Sequence, residues 1–269
     1  MNNDAGQVII NSSYLKNGNI VASNFEIEGK IINIKNTCAF DTVSEIILNA
    51  YSNFFSELTQ FINAHTNNNM SNYNDFISLY AREGPSNSVY ERRACILFDS
   101  YNCQNRSTLD CNINIFEIYN EVMDDILPLT ETTTCFMNCP TQVIQKYVID
   151  CPCRGVWGNG FINLQNSVNN FLNQDGKMCG GCYHYSSKVR VILGPYVCID
   201  VTEYFARVGN RDYRCLLKDI PTTLKLNLSD YVLVGAAAYE PGHYVAYCRS
   251  PSNIWDKRDD MNHQGQRVF

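Results

Sequence analysis

The chain is short of positive charge and has no long apolar run, and these two absences exclude several classes of protein. It contains 21 Lys and Arg residues against 27 Asp and Glu residues, a net charge of -6. Proteins that bind nucleic acids through the phosphate backbone need clustered Lys and Arg, so we expect no nucleic-acid partner. No segment approaches the roughly 18 to 20 apolar residues that cross a bilayer. We therefore expect no association with a membrane.

The N-terminal stretch MNNDAGQVII lacks the basic region and apolar core of a secretory signal. We therefore expect a cytoplasmic or nuclear protein in a reducing compartment. The chain has 13 cysteines. In such a compartment, cysteines serve as metal ligands, catalytic thiols or small buried residues rather than as disulfides.

Hydrophobic periodicity changes along the chain. From Cys38 to Phe61, apolar residues recur at steps of three and four, which predicts a helix with Thr37 as its N-cap. Similar patterns around residues 74–84 and 113–127 predict two further helices. After Pro128 the segments are short, rich in β-branched and aromatic residues, and bounded by Gly, Pro, Asn or Asp, which predicts strands. A helical front half and a stranded back half indicate the α+β class.

Strand patterns occur in TTTCFMNC (132–139), QKYVIDC (145–151), YVCIDVTEYFA (196–206) and LKLNLSDYVLVGAAAY (224–239), and in three further segments. Residues 24–34, NFEIEGKIINI, alternate in polarity and predict a strand or an extended lead-in before the first helix. KVRVIL at 188–193 and HYVAYCR at 243–249 are compact β-branched and aromatic runs.

Cys38 lies where an irregular polar segment turns into the predicted helix, and the partial positive charge of a helix N-terminus favours a thiolate. A cysteine nucleophile also needs a base and a group that orients the base, and both can be distant in sequence. Of the four histidines, His243 is the most constrained, because it opens a strand directly after Glu-Pro-Gly. An antiparallel return could bring Asp256, Asp259 or Asp260 beside its imidazole. Spacing alone leaves open an inert core cysteine and solvated surface acids.

The segments NIKNTCAFD and PGHYVAYCRSPSNIWDKRDD resemble the cysteine and histidine boxes of the ubiquitin-specific proteases, the papain-like deubiquitinases. The resemblance implies an isopeptidase that acts on proteins modified with ubiquitin or a ubiquitin-like modifier. It places Cys38 on the nucleophile, His243 on the base and Asp259 on the orienting aspartate. It places Asn33 on the residue that helps to form the oxyanion hole.

The same resemblance implies one catalytic domain over residues 1–269 with a papain-like, hand-shaped fold. Its expected parts are a lead-in at 1–29, a helical thumb at 30–127, β-rich fingers at 128–194 and a β-rich palm at 195–269.

Three residues depart from the family pattern. Lys35 replaces a glycine, Asp41 replaces an asparagine and Glu45 stands where glutamine is usual. Asp41 lies three residues after the predicted nucleophile, and the cysteine box of the family's SUMO-specific relative resembles this one in having aspartate there. The identity of the modifier therefore stays open between ubiquitin and SUMO.

Four cysteines form two close pairs: Cys135, Cys139, Cys179 and Cys182. The Cys-Gly-Gly-Cys turn lets both thiolates face one ion, and two pairs make the four ligands of a structural zinc site. The set resembles the zinc ribbon in the fingers of many ubiquitin-specific proteases, whose first pair normally has two intervening residues. Cys151 and Cys153 are rival ligands, and scattered buried cysteines are the alternative without a metal.

Two other functions compete with the isopeptidase. A pseudoenzyme would bind the modifier without cleaving it, whereas a complete triad favours cleavage. A zinc-dependent nucleic-acid binder is disfavoured by the acidic charge. The remaining cysteines lie mostly in apolar or strand contexts, and we expect them to be packing residues: Cys95, Cys103, Cys111, Cys198, Cys215 and Cys248.

Overall fold

The chain forms two units, and one of them is built from two segments that are separate in sequence. In the computed structural model, the first unit comprises residues 1–125 and 234–269, and the second comprises residues 126–233. The structure describes residues 14–21, 24–53, 72–101, 107–122, 129–146, 148–150, 160–173, 178–184, 188–201, 216–240, 242–262 and 266–268.

The described helices are α1 (Cys38–Asn53), α2 (Asn72–Glu83), α3 (Asn87–Ser100), α4 (Ile115–Glu121) and α5 (Leu164–Leu172). The described strands are β1 (Asn24–Ile27), β2 (Lys30–Lys35), β3 (Thr108–Asp110), β4 (Leu129–Thr134), β5 (Gln142–Lys146), β6 (Val148–Asp150), β7 (Lys188–Leu193), β8 (Cys198–Asp200), β9 (Thr223–Leu226), β10 (Ser229–Val232), β11 (Gly235–Glu240), β12 (His243–Arg249), β13 (Trp255–Arg258) and β14 (Gln266–Val268). Within these residues, no helix is long and apolar enough to pass through a membrane.

The first unit is built around helix α1, which is buried along most of its length. Phe40 is fully buried, and its ring meets Tyr73 and Phe76 of α2 edge-on, with centroids 5.8 and 5.2 Å away. On another side, Ile46 packs on Ala246 of β12. Helix α1 is therefore fixed both to α2 and to the strand that begins with His243.

Two sheets accompany these helices. The larger sheet has the order β11-β12-β13-β14 and is antiparallel throughout. The smaller sheet has the order β1-β2-β3, with β1 antiparallel and β3 parallel to β2. Strand β2 ends at Lys35, only three residues before α1 begins at Cys38, so the position of the smaller sheet determines where α1 starts.

The second unit contains a three-stranded sheet of order β5-β4-β7, the parallel pair β6-β8, and the hairpin β9-β10. Helix α5 covers its core, whose buried members are Leu129, Ile149, Phe161, Leu164, Val168, Leu172, Leu224 and Leu226.

The α+β class is confirmed, and strands β7 and β12 have the bounds of the predicted KVRVIL and HYVAYCR segments. The first helix begins at Cys38 as predicted, but its extension beyond Asn53 lies outside the described residues. Helix α5 was missed because LQNSVNNFL is rich in asparagine, while Leu164 and Val168 are buried on one face. The subdivision at 30–127, 128–194 and 195–269 stays a prediction.

Candidate active site

Cys38 is the first residue of α1 and is 8% exposed. Thr37, the predicted N-cap, directly precedes the helix, and a capping bond from its side chain stays a prediction. Its hydroxyl donates to Asp41 Oδ2 over 2.6 Å, while its backbone oxygen accepts from the Asp41 N–H. The first turn is thus closed through Asp41, and the thiol sits at the end where α1 meets β12.

His243 opens β12 after a turn that only glycine adopts readily. Gly242 has a φ of +80°, a conformation that costs glycine little and other residues more. The strand pairs antiparallel with β13, with Ala246 opposite Arg258. The chain leaves β13 immediately after Arg258, and this register brings the next two residues, Asp259 and Asp260, back towards His243.

One nitrogen of the His243 imidazole faces both aspartates, and only Asp259 forms a hydrogen bond with it. Its Nε2 lies 2.9 Å from Asp259 Oδ1, with which it forms a hydrogen bond, and 3.3 Å from Asp260 Oδ1. Since Nε2 faces the carboxyl groups, Nδ1 is the nitrogen left for the thiol. The residue after the histidine, Tyr244, donates its backbone N–H to the sulfur of Cys38. The contacts of His243 with Asp259 and of Tyr244 with Cys38 thus bring the predicted nucleophile, base and orienting acid into one region.

The two catalytic candidates have distinct electrostatic environments. Burial acts to raise the pKa of Asp259, but hydrogen bonds from His243, the Met261 N–H and the Asn262 amide hold it below its usual value. For Cys38, burial raises the thiol pKa, and the Tyr244 N–H opposes this only in part. The environment thus favours a charged Asp259 and disfavours a Cys38 thiolate, and the role of His243 as general base stays a prediction.

Asp260 has a different role from its neighbour. It is 6% exposed and lies against Asp41, and burial followed by the charge of Asp41 raises its pKa to about 9. Its Oδ2 accepts a 2.8 Å hydrogen bond from Asn17 Nδ2. At neutral pH this carboxyl group is protonated, so it adds no charge beside His243.

Two of the residues that depart from the family pattern have buried arginine partners. Asp41 accepts from Arg93 of α3 over 2.8 Å, and both side chains are 1% exposed. Glu45 accepts from Arg258 at the end of β13 over 2.8 Å, and also from Tyr80. A carboxylate at either position is thus neutralised by a cation from another element. The third departure, Lys35, is exposed at the end of β2.

Sequence reasoning missed the segment at residues 14–21, which it treated as part of a lead-in. Leu15 is fully buried, and its N–H donates to Glu45 and to the Tyr80 hydroxyl. Asn17 is 2% exposed and contacts Asp260.

Asn33 lies within strand β2, paired with Asn24 on one side and Thr108 on the other. Its backbone N–H donates to Ser107, and its side chain is half-buried between the buried neighbours Ile32 and Ile34. Because side chains alternate along a strand, Asn33 points to the face opposite these two core residues. Its role in an oxyanion hole stays a prediction.

The four predicted metal ligands are close together in the second unit. The sulfur atoms of Cys135, Cys139, Cys179 and Cys182 all lie within 4.8 Å of one another. The shortest described separation, Cys135 to Cys182, is 3.4 Å, and all four cysteines are free. A disulfide needs about 2 Å between sulfurs, whereas a tetrahedral zinc with bonds of about 2.3 Å places them about 3.8 Å apart.

The four thiols differ in acidity: the hydrogen bond with Cys182 raises the pKa of Cys139 to about 12, whereas backbone donors favour a thiolate at Cys179. Hydrogen bonds from the N–H groups of Cys182 and Gly181 lower the pKa of the Cys179 thiol to about 6. The Met137 N–H donates to the Cys135 sulfur over 3.4 Å. The group can therefore bind a metal ion. The rival ligands Cys151 and Cys153 lie outside the described residues.

Similarity to known proteins is distant. No protein-family model matches the chain. The 120.7 kDa protein in the NOF-FB transposable element of Drosophila melanogaster is 26% identical over 262 residues, and the match covers 88% of this chain. The chain spans only 24% of that relative's length.

Among solved structures, the SAGA Ubp8/Sgf11/Sus1/Sgf73 DUB module is similar with a TM-score of 0.48 and 11% identity, over 93% of this chain and 65% of that one. The Pan2 pseudoubiquitin hydrolase–RNA exonuclease module of Saccharomyces cerevisiae gives a TM-score of 0.46 and 10% identity, over 91% of this chain and 51% of that one. In both cases the chain covers less than two thirds of the compared chain.

Proposed function

We propose that the protein is a cysteine isopeptidase that removes ubiquitin, or a ubiquitin-like modifier, from lysine side chains in the cytoplasm or nucleus. The observation that carries this proposal is the arrangement of Cys38 at the start of α1, His243 at the start of β12 and Asp259 after β13. Thiol, base and orienting acid in this arrangement are the parts of a thiol hydrolase. The two sequence boxes resemble those of the ubiquitin-specific proteases and supply the substrate class.

The hydrogen bond between His243 and Asp259 supports the following chemistry. His243 Nδ1 takes the proton of the Cys38 thiol, and the sulfur attacks the carbonyl carbon of the isopeptide bond. The protonated imidazole then donates that proton to the leaving lysine amine, and a thioester remains on Cys38. Water, deprotonated by His243, attacks the thioester and releases the modifier with a free carboxyl group. Asp259 stabilises the imidazolium at each stage through Nε2.

The negative charge that develops on the carbonyl oxygen needs donors. The backbone N–H of Cys38 at the helix N-terminus and the amide of Asn33 are the proposed oxyanion donors. Removing one such donor typically lowers kcat by about 10²- to 10³-fold, so Asn33→Ala tests the assignment.

We also propose that zinc occupies the four-cysteine cluster and has a structural role. Zinc with four sulfur ligands leaves no position for substrate or water. Cys135, Cys139, Cys179 and Cys182 would hold the ion, and the catalytic chemistry would come from Cys38 alone.

Labelling with electrophilic probes built on ubiquitin and on SUMO, side by side, tests the function. We expect one covalent adduct on Cys38 with the ubiquitin probe, its loss in Cys38→Ala, and its retention in the matched control Cys95→Ala. Preference for the SUMO probe would reassign the modifier. Binding of ubiquitin without any adduct or cleavage would identify a pseudoenzyme and overturn the proposal.

A further inference from the structure

Asn17 makes two hydrogen bonds to one residue of the candidate active site that lies 243 positions away in the chain. Its backbone N–H donates to the Asp260 backbone oxygen over 3.1 Å, and its side-chain Nδ2 donates to Asp260 Oδ2 over 2.8 Å. The side-chain oxygen accepts from the Asn19 N–H over 3.0 Å. The amide orientation is thus fixed at both ends, with 2% of the residue exposed.

The residues on either side of Asn17, Lys16 and Gly18, form hydrogen bonds with side chains near the start of α1. The Gly18 N–H donates to the Thr37 hydroxyl over 2.9 Å, directly before Cys38. The backbone oxygen of Lys16 accepts from Arg93 over 2.8 Å, and Arg93 also binds Asp41. A Cβ on Gly18 would lie 2.4 Å from the Ile34 oxygen, so this close approach requires glycine. Residues 16–18 therefore bridge the start of α1 and the turn after β13.

We propose that Asn17 is a positioning residue that holds the Asp259–Asp260 turn, and with it the imidazole of His243, in register with the thiol of Cys38. The His243 ring is bound to Asp259, so a displacement of the turn moves the base relative to the sulfur. The proposal deepens the proposed isopeptidase function and rests on it for the activity measurement.

The amide, rather than the volume of the side chain, is what this role requires. The carboxyl group of Asp260 faces the carboxylate of Asp41, and the two groups share the single proton of Asp260. A carboxylate at position 17 has the same shape as the amide but cannot donate, and the one proton of Asp260 would then have to serve two acidic neighbours. We therefore expect Asn17→Asp to be at least as harmful as Asn17→Ala.

The test compares Asn17→Asp, Asn17→Ala and the matched control Asn19→Ala, an exposed asparagine of the same segment. With a fluorogenic ubiquitin substrate, we expect the Asn17 variants to lose about tenfold or more in kcat with KM unchanged within about twofold. Alkylation of Cys38 by iodoacetamide, followed across pH by peptide mass spectrometry, provides a second measurement that requires no modifier. We expect slower alkylation at neutral pH and a higher pH midpoint in both Asn17 variants, and wild-type behaviour in Asn19→Ala.

The outcomes separate this proposal from the proposed function. Wild-type kcat and alkylation in Asn17→Asp would overturn it, even if Asn17→Ala were impaired, because the side chain would then act through its volume alone. If the wild-type protein cleaves no modifier, the isopeptidase assignment fails, while the alkylation profiles still decide the role of Asn17. If Asn17→Ala does not fold, the isosteric Asn17→Asp carries the comparison, with thermal unfolding as its check.

Discussion

At the scale of single residues, the neighbouring aspartates Asp259 and Asp260 differ in protonation because their surroundings differ. Asp259 accepts hydrogen bonds from an imidazole, a backbone N–H and an amide, which favour its charged form. Asp260 is buried against another carboxyl group, which favours its neutral form. Pairs of titratable groups whose pKa values are driven apart indicate which acid has the charged role. Asp259 is the charged partner of His243, and Asp260 is a hydrogen-bonding link to Asn17.

The first prediction concerns the choice among the aspartates. Asp259→Asn keeps the shape of the side chain but removes the charge that stabilises the imidazolium, so kcat should fall by a factor that approaches the roughly 10⁴ of the equivalent change in serine proteases. Asp256 lies in β13 opposite Cys248, away from the imidazole, and Asp256→Asn is the matched control. Steady-state kinetics on a ubiquitin substrate measures the effect. A larger loss in Asp256→Asn than in Asp259→Asn would reverse the assignment.

The second prediction concerns stability and pH. The pKa of Asp260 is raised from 3.8 to about 9 on folding, so its contribution to stability is fully present below pH 3.8 and is lost as pH rises towards 9. Asp260→Asn has no proton to lose, so its free energy of unfolding should rise relative to wild type between pH 5 and pH 8.5. Each pH unit contributes up to about 1.4 kcal/mol, and we expect a relative gain of at least about 2 kcal/mol.

Urea unfolding at the two pH values measures this difference. Asp256→Asn again serves as the control, since it removes a carboxyl group from the same region. A difference between Asp260→Asn and wild type that does not change with pH would show that Asp260 is ionised in the folded protein.

At the scale of secondary-structure elements, a buried ion pair joins helix α1 to strand β13. Glu45 is 3% exposed and binds Arg258 over 2.8 Å, and its other oxygen accepts from Leu15 and Tyr80. Arg258 directly precedes Asp259. The pair therefore links the helix that begins with Cys38 to the strand that leads into Asp259.

The third prediction tests this link. Arg258→Met leaves the Glu45 charge buried without its cation, and breaking such a pair costs about 3–5 kcal/mol in the free energy of unfolding. Combining Arg258→Met with Glu45→Gln should recover part of that loss, because no unpaired charge remains. The neighbouring Lys257 binds Glu240 at a more exposed site, so Lys257→Met should cost less than about 1 kcal/mol. Equal losses in Arg258→Met and Lys257→Met on denaturant unfolding would contradict the prediction.

At the scale of the whole molecule, the proposed chemistry and the proposed metal site belong to different units. Cys38, His243 and Asp259 lie in the unit formed by the two chain ends, and the four-cysteine cluster lies in residues 126–233. The connections around the cluster expose several apolar side chains, including Phe136, Met137 and Tyr183. A segment that buries little apolar surface needs another source of stability, and the proposed zinc ion would supply it.

The fourth prediction is that protein purified without added metal contains one zinc per chain. Cys179→Ser should lose the ion and lower the thermal unfolding temperature, whereas the matched control Cys198→Ser, a half-buried cysteine of β8, should keep it. Chelation should lower modifier affinity more than the rate of Cys38 alkylation. Elemental analysis decides the matter: a content below about 0.2 zinc per chain, against the single ion of a four-ligand site, would leave the cysteines as packing residues.

The sequence by itself determined the features that local patterns encode. Alternation and β-branching located strands β7 and β12, the three-to-four periodicity located the start of α1 at Cys38, and the Gly-His-Tyr turn singled out His243. These signals are short-range, since side-chain direction repeats every two residues in a strand and every 3.6 in a helix. The pairing of two cysteine motifs likewise predicted a cluster that the fold brings together.

Only the tertiary structure decided which distant residues meet. The β12–β13 register places Asp259 and Asp260 near the imidazole. Burial and the charge of Asp41 raise the pKa of Asp260, and both depend on tertiary packing. The partnership of Asp41 with Arg93, and the insertion of Asn17 beside Asp260, join residues that no periodicity relates. Long-range contacts of this kind depend on how elements pack, because hydrogen bonds and charges gain their strength only once the fold has removed water from around them.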